Sequence, residues 1–151
     1  MWRIAQINDD GPIIEMSRAL YEEDPATGPV PEAQTRQTLS ILRSEPVRGT
    51  AVVLEIEREV AAYALLISFW SNELGGEVCV IDELYVRPGY RNRGHGRELI
   101  RGLRPGNNLW PQSFVALELE VTPDNKRAAA LYAELGFEPV KNARLRRSTI
   151  D

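Results

Sequence analysis

Two adjacent carboxylates, Asp82 and Glu83, close the apolar run Val78-Cys79-Val80-Ile81. A carboxylate inside an otherwise apolar strand carries a desolvation cost, which argues that at least one of the two has a task. The plainer alternative is a salt bridge to a nearby arginine. After Leu84-Tyr85-Val86-Arg87-Pro88 the chain turns into a loop of arginines and glycines, Arg91-Asn92-Arg93-Gly94-His95-Gly96-Arg97, that opens onto an amphipathic segment. Glycines let a backbone turn its N–H groups inward, and a following helix adds free N–H groups and a positive dipole end. Together they form an anion cradle at a strand-to-helix turn.

Several kinds of site use such a cradle. A kinase-type phosphate loop ends in Gly-Lys-Ser/Thr, whereas here Arg97 and Glu98 follow Gly96. A dinucleotide-binding turn needs a third glycine where Leu99 stands, and a tight turn where a longer loop precedes Gly94. A solvated arginine loop capping a helix is the plain reading. The grammar Arg91-x-x-Gly94-x-Gly96, preceded by Leu84-x-Val86-x-Pro88, is more specific. It closely resembles the acetyl-coenzyme A loop of the GNAT N-acetyltransferase superfamily. The block Asn125-Lys126-Arg127-Ala128-Ala129-Ala130-Leu131-Tyr132-Ala133-Glu134-Leu135-Gly136-Phe137 resembles that superfamily's later helix. The resemblance runs from about Glu59 to Val140, and before that only the order of elements fits.

The resemblance implies an N-acetyltransferase that moves an acetyl group from acetyl-coenzyme A to an amine by direct attack in a ternary complex. The acceptor would be an amine of a small molecule or peptide. Such a reaction needs a held thioester, a deprotonated nucleophile, help for the tetrahedral oxyanion and a proton for the leaving thiolate. By resemblance, the backbone from Arg91 through Asn92, Arg93, Gly94, His95 and Gly96 to Arg97 holds the pyrophosphate. The arginine side chains neutralise the 3′-phosphate or stay in solvent. The backbone of Leu84, Tyr85 and Val86 pairs with the pantetheine arm like an added strand, with an oxyanion contact near Val86. Asn125 contacts the same arm. Tyr132 matches the tyrosine that protonates the thiolate; a phenol of pKa ~10 keeps its proton at neutral pH. Without the flanking motif it reads as a core aromatic.

The base is Asp82 or Glu83. On a regular strand they point to opposite sides, Asp82 with Val78 and Val80, Glu83 with Ile81 and Tyr85. A bulge, usual in the family at this point, shifts which one reaches the acceptor. Glu118 and Glu120 are weaker candidates, equally explained as one solvated face. Glu22, Glu23 and Asp24 form an acidic cluster able to attract an amine, or simply a solvated helix end. Trp70 and Trp110 are candidates for walls of a pocket or for packing. A reading from another class is a non-catalytic acyl-coenzyme A sensor that kept the cradle and lost turnover.

These residues need positioning elements. Trp2 to Ile7 alternates like a short strand. Pro12 marks a first helix carrying Ile13, Ile14, Met16, Leu20 and Tyr21. Glu22 to Pro31 reads as a loop, and about Glu32 to Ser44 as a second helix with Thr38, Leu39 and Leu42 inward. Thr50 to Glu57 and Val60 to Phe69 read as strands about a tight turn, and a hairpin loop at Ser71 to Gly76 leads into the strand Glu77 to Val86. A helix from about Gly94 to Leu103, a strand from Val115 to Val121 and a helix capped by Asp124 or Asn125 follow. One or two last strands span about Phe137 to Thr149. The predicted order β-α-α-β-β-β-α-β-α-β is an α/β fold, a mixed sheet with helices on both faces.

Composition adds bounds. At 151 residues the chain fits one domain, 1–151, with 43% apolar and 26% charged residues, the balance of a water-soluble globular protein. No run approaches the ~20 apolar residues of a membrane span, and the start reads as strand, not signal peptide. One cysteine excludes an internal disulfide and favours a reducing compartment, the cytoplasm; Cys79 reads as a small buried apolar residue. One Cys and one His cannot build a soft metal site, and no metal is expected. They also weaken any Ser-His or Cys-His hydrolase. His95 is more useful for its backbone N–H than for its imidazole. A net charge of −4 argues against nucleic acid and mildly favours a cationic acceptor. A homodimer is frequent in the family and is carried over on that ground alone.

Overall fold

The computed structural model describes residues 1–24, 28–110 and 112–150. Five strands form one sheet in chain order: β1 Trp2–Ile4, β2 Gly49–Ile56, β3 Glu59–Ser71, β4 Gly76–Val86 and β5 Ala116–Leu119. The first four pair antiparallel, and β5 lies parallel to β4. The helices are α1 Asp10–Glu23, α2 Glu32–Ser44, α3 His95–Gly102 and α4 Lys126–Glu134.

Strand alternation divides the core into two layers. Val53, Tyr63 and Leu65 face α1 and α2 and pack with Ile13, Met16 and Leu39. Val52, Ala64, Leu66 and Ile81 face the other way and pack with Leu99 and Ile100 of α3, while Tyr132 and Leu135 of α4 cover the same cluster. The mixed sheet with helices on both faces is as predicted.

Five details depart from the sequence expectation. β1 stops at Ile4 because Asp9 turns the chain: its carboxylate accepts from the Gln6 N–H at 2.7 Å and from both terminal nitrogens of Arg3 at 2.7 and 3.0 Å. α1 consequently begins at Asp10, before Pro12. In α2, Thr35 rather than Thr38 is buried beside Leu39 and Leu42. No strand forms after α4 among the described residues. Pro139 lacks a ladder donor, and Arg144, Arg146 and Arg147 stay exposed and give no alternating apolar face to bury. The loop expected from Glu22 to Pro31 is entered late, since α1 continues to Glu23, and Pro25 to Thr27 lie outside the described residues.

The β2–β3 turn is a two-residue loop in which Glu57 and Arg58 both adopt positive φ (50° and 69°), the sense that follows the twist of the flanking strands.

Candidate functional site

The two carboxylates are separated by an irregularity in β4. Leu65 of β3 pairs with Glu83 and Leu66 with Ile81, so Asp82 is the extra residue of a β-bulge. A bulge resets the alternation. Glu83 therefore shares its side with Tyr85 and the α1/α2 layer, and Ile81 lies in the opposite layer. The regular pattern, which placed Glu83 with Ile81, fails for this reason. Glu83 is half-buried. Its Oε1 accepts from Tyr63 Oη at 2.5 Å and Ser17 Oγ at 3.4 Å, and its Oε2 from Tyr21 Oη at 3.2 Å. Burial pushes its carboxyl above the usual range, and Asp82 adds to the rise against the pull of the three hydroxyls. Asp82 is exposed on the bulge; it is also raised, by partial desolvation and then by Glu120, with Arg144 and Arg146 opposing.

Beyond the bulge, β4 loses its parallel partner. β5 pairs with β4 only from Val78↔Ala116 to Ile81↔Leu119, and β4 runs on to Val86 beside an open gap. Backbone groups alternate sides along a strand. The Arg87 N–H donates to Ala61 O of the β3 side, so Tyr85 also turns its backbone to β3, while Leu84 and Val86 turn theirs to the gap. The three residues are thus not equivalent. Of the gap-facing groups, Val86 O already accepts from Arg91 Nε at 2.7 Å. Leu84 N–H and O and the Val86 N–H remain for an added strand.

The loop meets the gap at the start of α3. Arg91 N–H is bonded to Pro88 O and Glu98 N–H to Gly94 O, but the N–H groups of Asn92, Arg93, Gly94, His95, Gly96 and Arg97 have no acceptor among the described residues. Gly94 caps α3 at φ +81°, a conformation that side chains with a Cβ rarely adopt. At Gly96 the φ is not positive, and a Cβ there meets only Leu84 Cδ2 at 3.7 Å, an ordinary contact. Six unpaired donors, a helix N-terminus and an open approach fit a pyrophosphate.

Most arginine side chains of the loop are struts. Arg91 bonds both Glu23 oxygens at 3.0 and 2.9 Å and lies over the Tyr85 ring, Arg93 lies over the Tyr90 ring, and Arg97 pairs with Glu134 at 2.6 Å. Asn92, at φ 64°, accepts from Arg127 of α4. Arg93 alone of the three makes no ion pair among the described residues. The His95 carbonyl accepts from Trp2 Nε1 at 3.1 Å; its half-buried imidazole places Nδ1 3.7 Å from a Glu98 oxygen and leaves Nε2 buried without a partner among the described residues.

Tyr132 lies on the other side of the sheet from Glu83. It is half-buried, edge-on to Phe137 at 5.8 Å between ring centroids, in the cluster that includes Leu84 and Val86. Its hydroxyl has no partner among the described residues, and burial raises its pKa. Asn125 caps α4, its Oδ1 accepting from the Ala128 N–H at 3.1 Å, which leaves its amide NH2 to contact a ligand.

The remaining candidates scatter. Glu23 is committed to Arg91 and to Tyr85 Oη, Asp24 accepts from Thr122, and Glu22 is exposed. Glu118 is half-buried on β5, and Glu120 pairs with Arg144. Trp70 is exposed; Trp110 is buried against Phe114 and borders a cavity of about 240 Å³ with Leu39, Leu42 and Thr50, at the β1–β2 edge and away from the loop. Among the described residues no cluster of His, Cys, Asp and Glu is arranged to hold a metal, and no helix is long and apolar enough to cross a membrane. Sequence reasoning missed Ser17, Tyr21 and Tyr63. Only the contact with Glu83 marks them.

The sequence matches the model of the acetyltransferase (GNAT) family over residues 14–137. No curated protein matches the chain in sequence. Among solved structures, a possible acetyltransferase from Clostridium difficile 630 superposes with a TM-score of 0.83 at 20% identity, over 100% of this chain and 98% of that one. A ribosomal-protein-alanine N-acetyltransferase from Brucella melitensis biovar Abortus 2308 gives 0.75 at 14%, over 98% and 99%. The aminoglycoside N-acetyltransferase AAC(6')-Iy, solved in complex with CoA, gives 0.71 at 15%, over 99% and 95%. At these identities the likeness is one of fold.

Proposed function

This chain belongs to the GNAT acetyltransferase family, and we propose that it acetylates an amine of a small molecule or peptide with Glu83 as base and Tyr132 as acid. The observation that carries the assignment is the gap beyond Ile81. It is bordered by the free N–H and carbonyl of Leu84 and the free N–H of Val86, opens beside the unpaired amides of 92–97, and has the carboxylate on one face of the sheet and the phenol on the other.

Acetyl-coenzyme A supplies an acyl group activated as a thioester. The loop amides bind its pyrophosphate, the Leu84 N–H and carbonyl align the pantetheine arm, and the Asn125 amide contacts it from α4. Arg93 supplies charge to the phosphates. The Val86 N–H serves the carbonyl oxygen as negative charge develops there. Glu83 takes one proton from the ammonium, directly or through a water, which frees the nitrogen lone pair to form the C–N bond. As the tetrahedral intermediate collapses, the C–S bond breaks and the Tyr132 hydroxyl gives its proton to the departing sulfur. The second nitrogen proton leaves through water and restores the phenol of Tyr132 once it has protonated the thiolate. Asp82, exposed on the bulge, serves as a second acidic contact for a cationic acceptor. The lone, buried Cys79 supports a cytoplasmic setting. The homodimer implied by resemblance is a question for sedimentation.

Thiol release from acetyl-coenzyme A in the presence of a panel of small and peptide amines, followed by product mass, tests the proposal. An acetylated amine is the expected product. Tight binding with no turnover for any amine leaves the non-catalytic sensor instead.

The cradle has its own test. Acetyl-coenzyme A at ~100 times its dissociation constant stabilises the fold by about 2.7 kcal/mol. Gly96→Val keeps the apo melting temperature near wild type, because its Cβ meets only Leu84, and abolishes most of that thermal shift. Gly94→Val is the poorer probe, since its φ strains any substitute. An unchanged shift in Gly96→Val places the cofactor elsewhere.

A further inference from the structure

We propose that Tyr63 and Tyr21 are positioning residues for the transfer, their hydroxyls clamping the two oxygens of Glu83 so that an ionised carboxylate is held beside the gap. The inference rests on the reading of Glu83 as base and extends it to residues that no comparison assigns.

The geometry divides the work between two elements. Tyr63, fully buried on β3, reaches Glu83 Oε1 at 2.5 Å, and Tyr21 on α1 reaches Oε2 at 3.2 Å. Ser17, one helical turn before Tyr21 and so on the same face of α1, adds a weaker third contact at 3.4 Å to Oε1. Both phenols keep their protons at neutral pH and donate them to the carboxylate. Burial, and then the charge of Glu83, raises Tyr63 far above its ordinary value and Tyr21 to about 12.

No cation replaces these donors. Among the described residues no Arg or Lys makes an ion pair with Glu83. The titratable or charged neighbours acting on it are Tyr21 of α1, Tyr63 of β3 and Asp82 of β4, with the Ser17 hydroxyl beside them. Asp82 opposes its ionisation. Tyr85 on the same face is turned to Glu23, which in turn is held by Arg91. A buried carboxylate without a cation depends on its hydroxyl donors for the charged form, and each charge-assisted bond is stronger than a neutral one. A cationic partner would leave a tight ion pair in the path of the incoming ammonium; two phenols leave the charge to attract it.

The test reads the carboxylate in the intact chain by ¹³C NMR of labelled glutamate, with the Glu83 signal assigned through Glu83→Gln. The same variants are then assayed for kcat/KM against pH with the best amine of the screen. In Tyr63→Phe the titration midpoint of Glu83 moves up by about one to two pH units, as expected for loss of one charge-assisted bond. The acid limb of kcat/KM moves with it, and the rate recovers to within a few-fold at higher pH. Tyr21→Phe shifts both in the same direction by less and keeps the test open if Tyr63→Phe fails to fold. A purely structural hydroxyl lowers activity at every pH and leaves the midpoint in place; an unmoved midpoint in both variants overturns the clamp. Failure of the base assignment is separate: Glu83→Gln then keeps full turnover, while the NMR midpoint still decides the clamp.

Discussion

Replacing Glu83 with Gln lowers kcat by about 10²–10⁴-fold, the usual contribution of a positioned general base. The side-chain volume is nearly unchanged, and with the amide oxygen toward Tyr63 and Ser17 its NH2 faces the Tyr21 oxygen, which can accept from it. The loss is therefore chemical. The sign of the pH dependence follows from the direction of the shift. Burial holds the carboxyl above its ordinary range, so the base is ionised only above that raised pKa, and activity falls as pH drops through it. In Glu83→Gln this limb disappears, leaving only the limb due to the amine's own protonation. Stability separates the two effects of the residue. A desolvated charge is removed, so the melting temperature stays level or rises while turnover collapses. Asp82→Asn, on the exposed bulge, keeps the enzyme's acid limb and changes mainly the KM of a cationic acceptor. A wild-type rate in Glu83→Gln together with loss of the limb in Asp82→Asn exchanges the two roles.

The cradle was legible in the sequence because its signal is local. Glycine, arginine and a helix start within a few residues dictate where free N–H groups go, and Gly94, Gly96 and Asn125 occupy the positions their types predict. The carboxylate pair was legible only as a pair. Which one faces α1 depends on the insertion of Asp82 into β4 against Leu65 and Leu66 of β3, a long-range register that alternation cannot express. The same limit hid Ser17 and Tyr21. On α1 they read as ordinary helix residues, and their meaning comes from Glu83, more than sixty residues away. The arginines show the same limit. Their charge suits either the 3′-phosphate or solvent, and in the structure Arg91 and Arg97 pair with Glu23 of α1 and Glu134 of α4, partners far away in sequence. At the carboxyl end the strands expected over about Phe137 to Thr149 do not form among the described residues, where Pro139 and three exposed arginines leave no apolar face to pair.

Tyr132→Phe keeps the ring against Phe137, and with it the packing of α4, and deletes only the hydroxyl that has no partner among the described residues. Removing an unpaired hydroxyl from a half-buried site costs little stability, so the melting temperature is expected to hold. Turnover is expected to fall by about 10²–10⁴-fold while affinity for acetyl-coenzyme A, measured by thermal shift, stays near wild type. The direction of the phenol's shift refines the alkaline side of the profile. Burial moves the pKa above its ordinary value of ~10, so the wild type keeps its acid in working form through the neutral range and loses activity only in strongly alkaline buffer. That limb is absent in the variant. The placement of the two groups on opposite faces of the sheet makes the double variant informative as well. Tyr132 and Glu83 serve different protons and share no side-chain contact, but both act in one transition state. Each single variant should therefore remove most of the rate, with the pair falling short of the product of the two losses. If Tyr132→Phe turns over at the wild-type rate when chemistry limits kcat, the hydroxyl is structural and the departing thiol takes its proton from water.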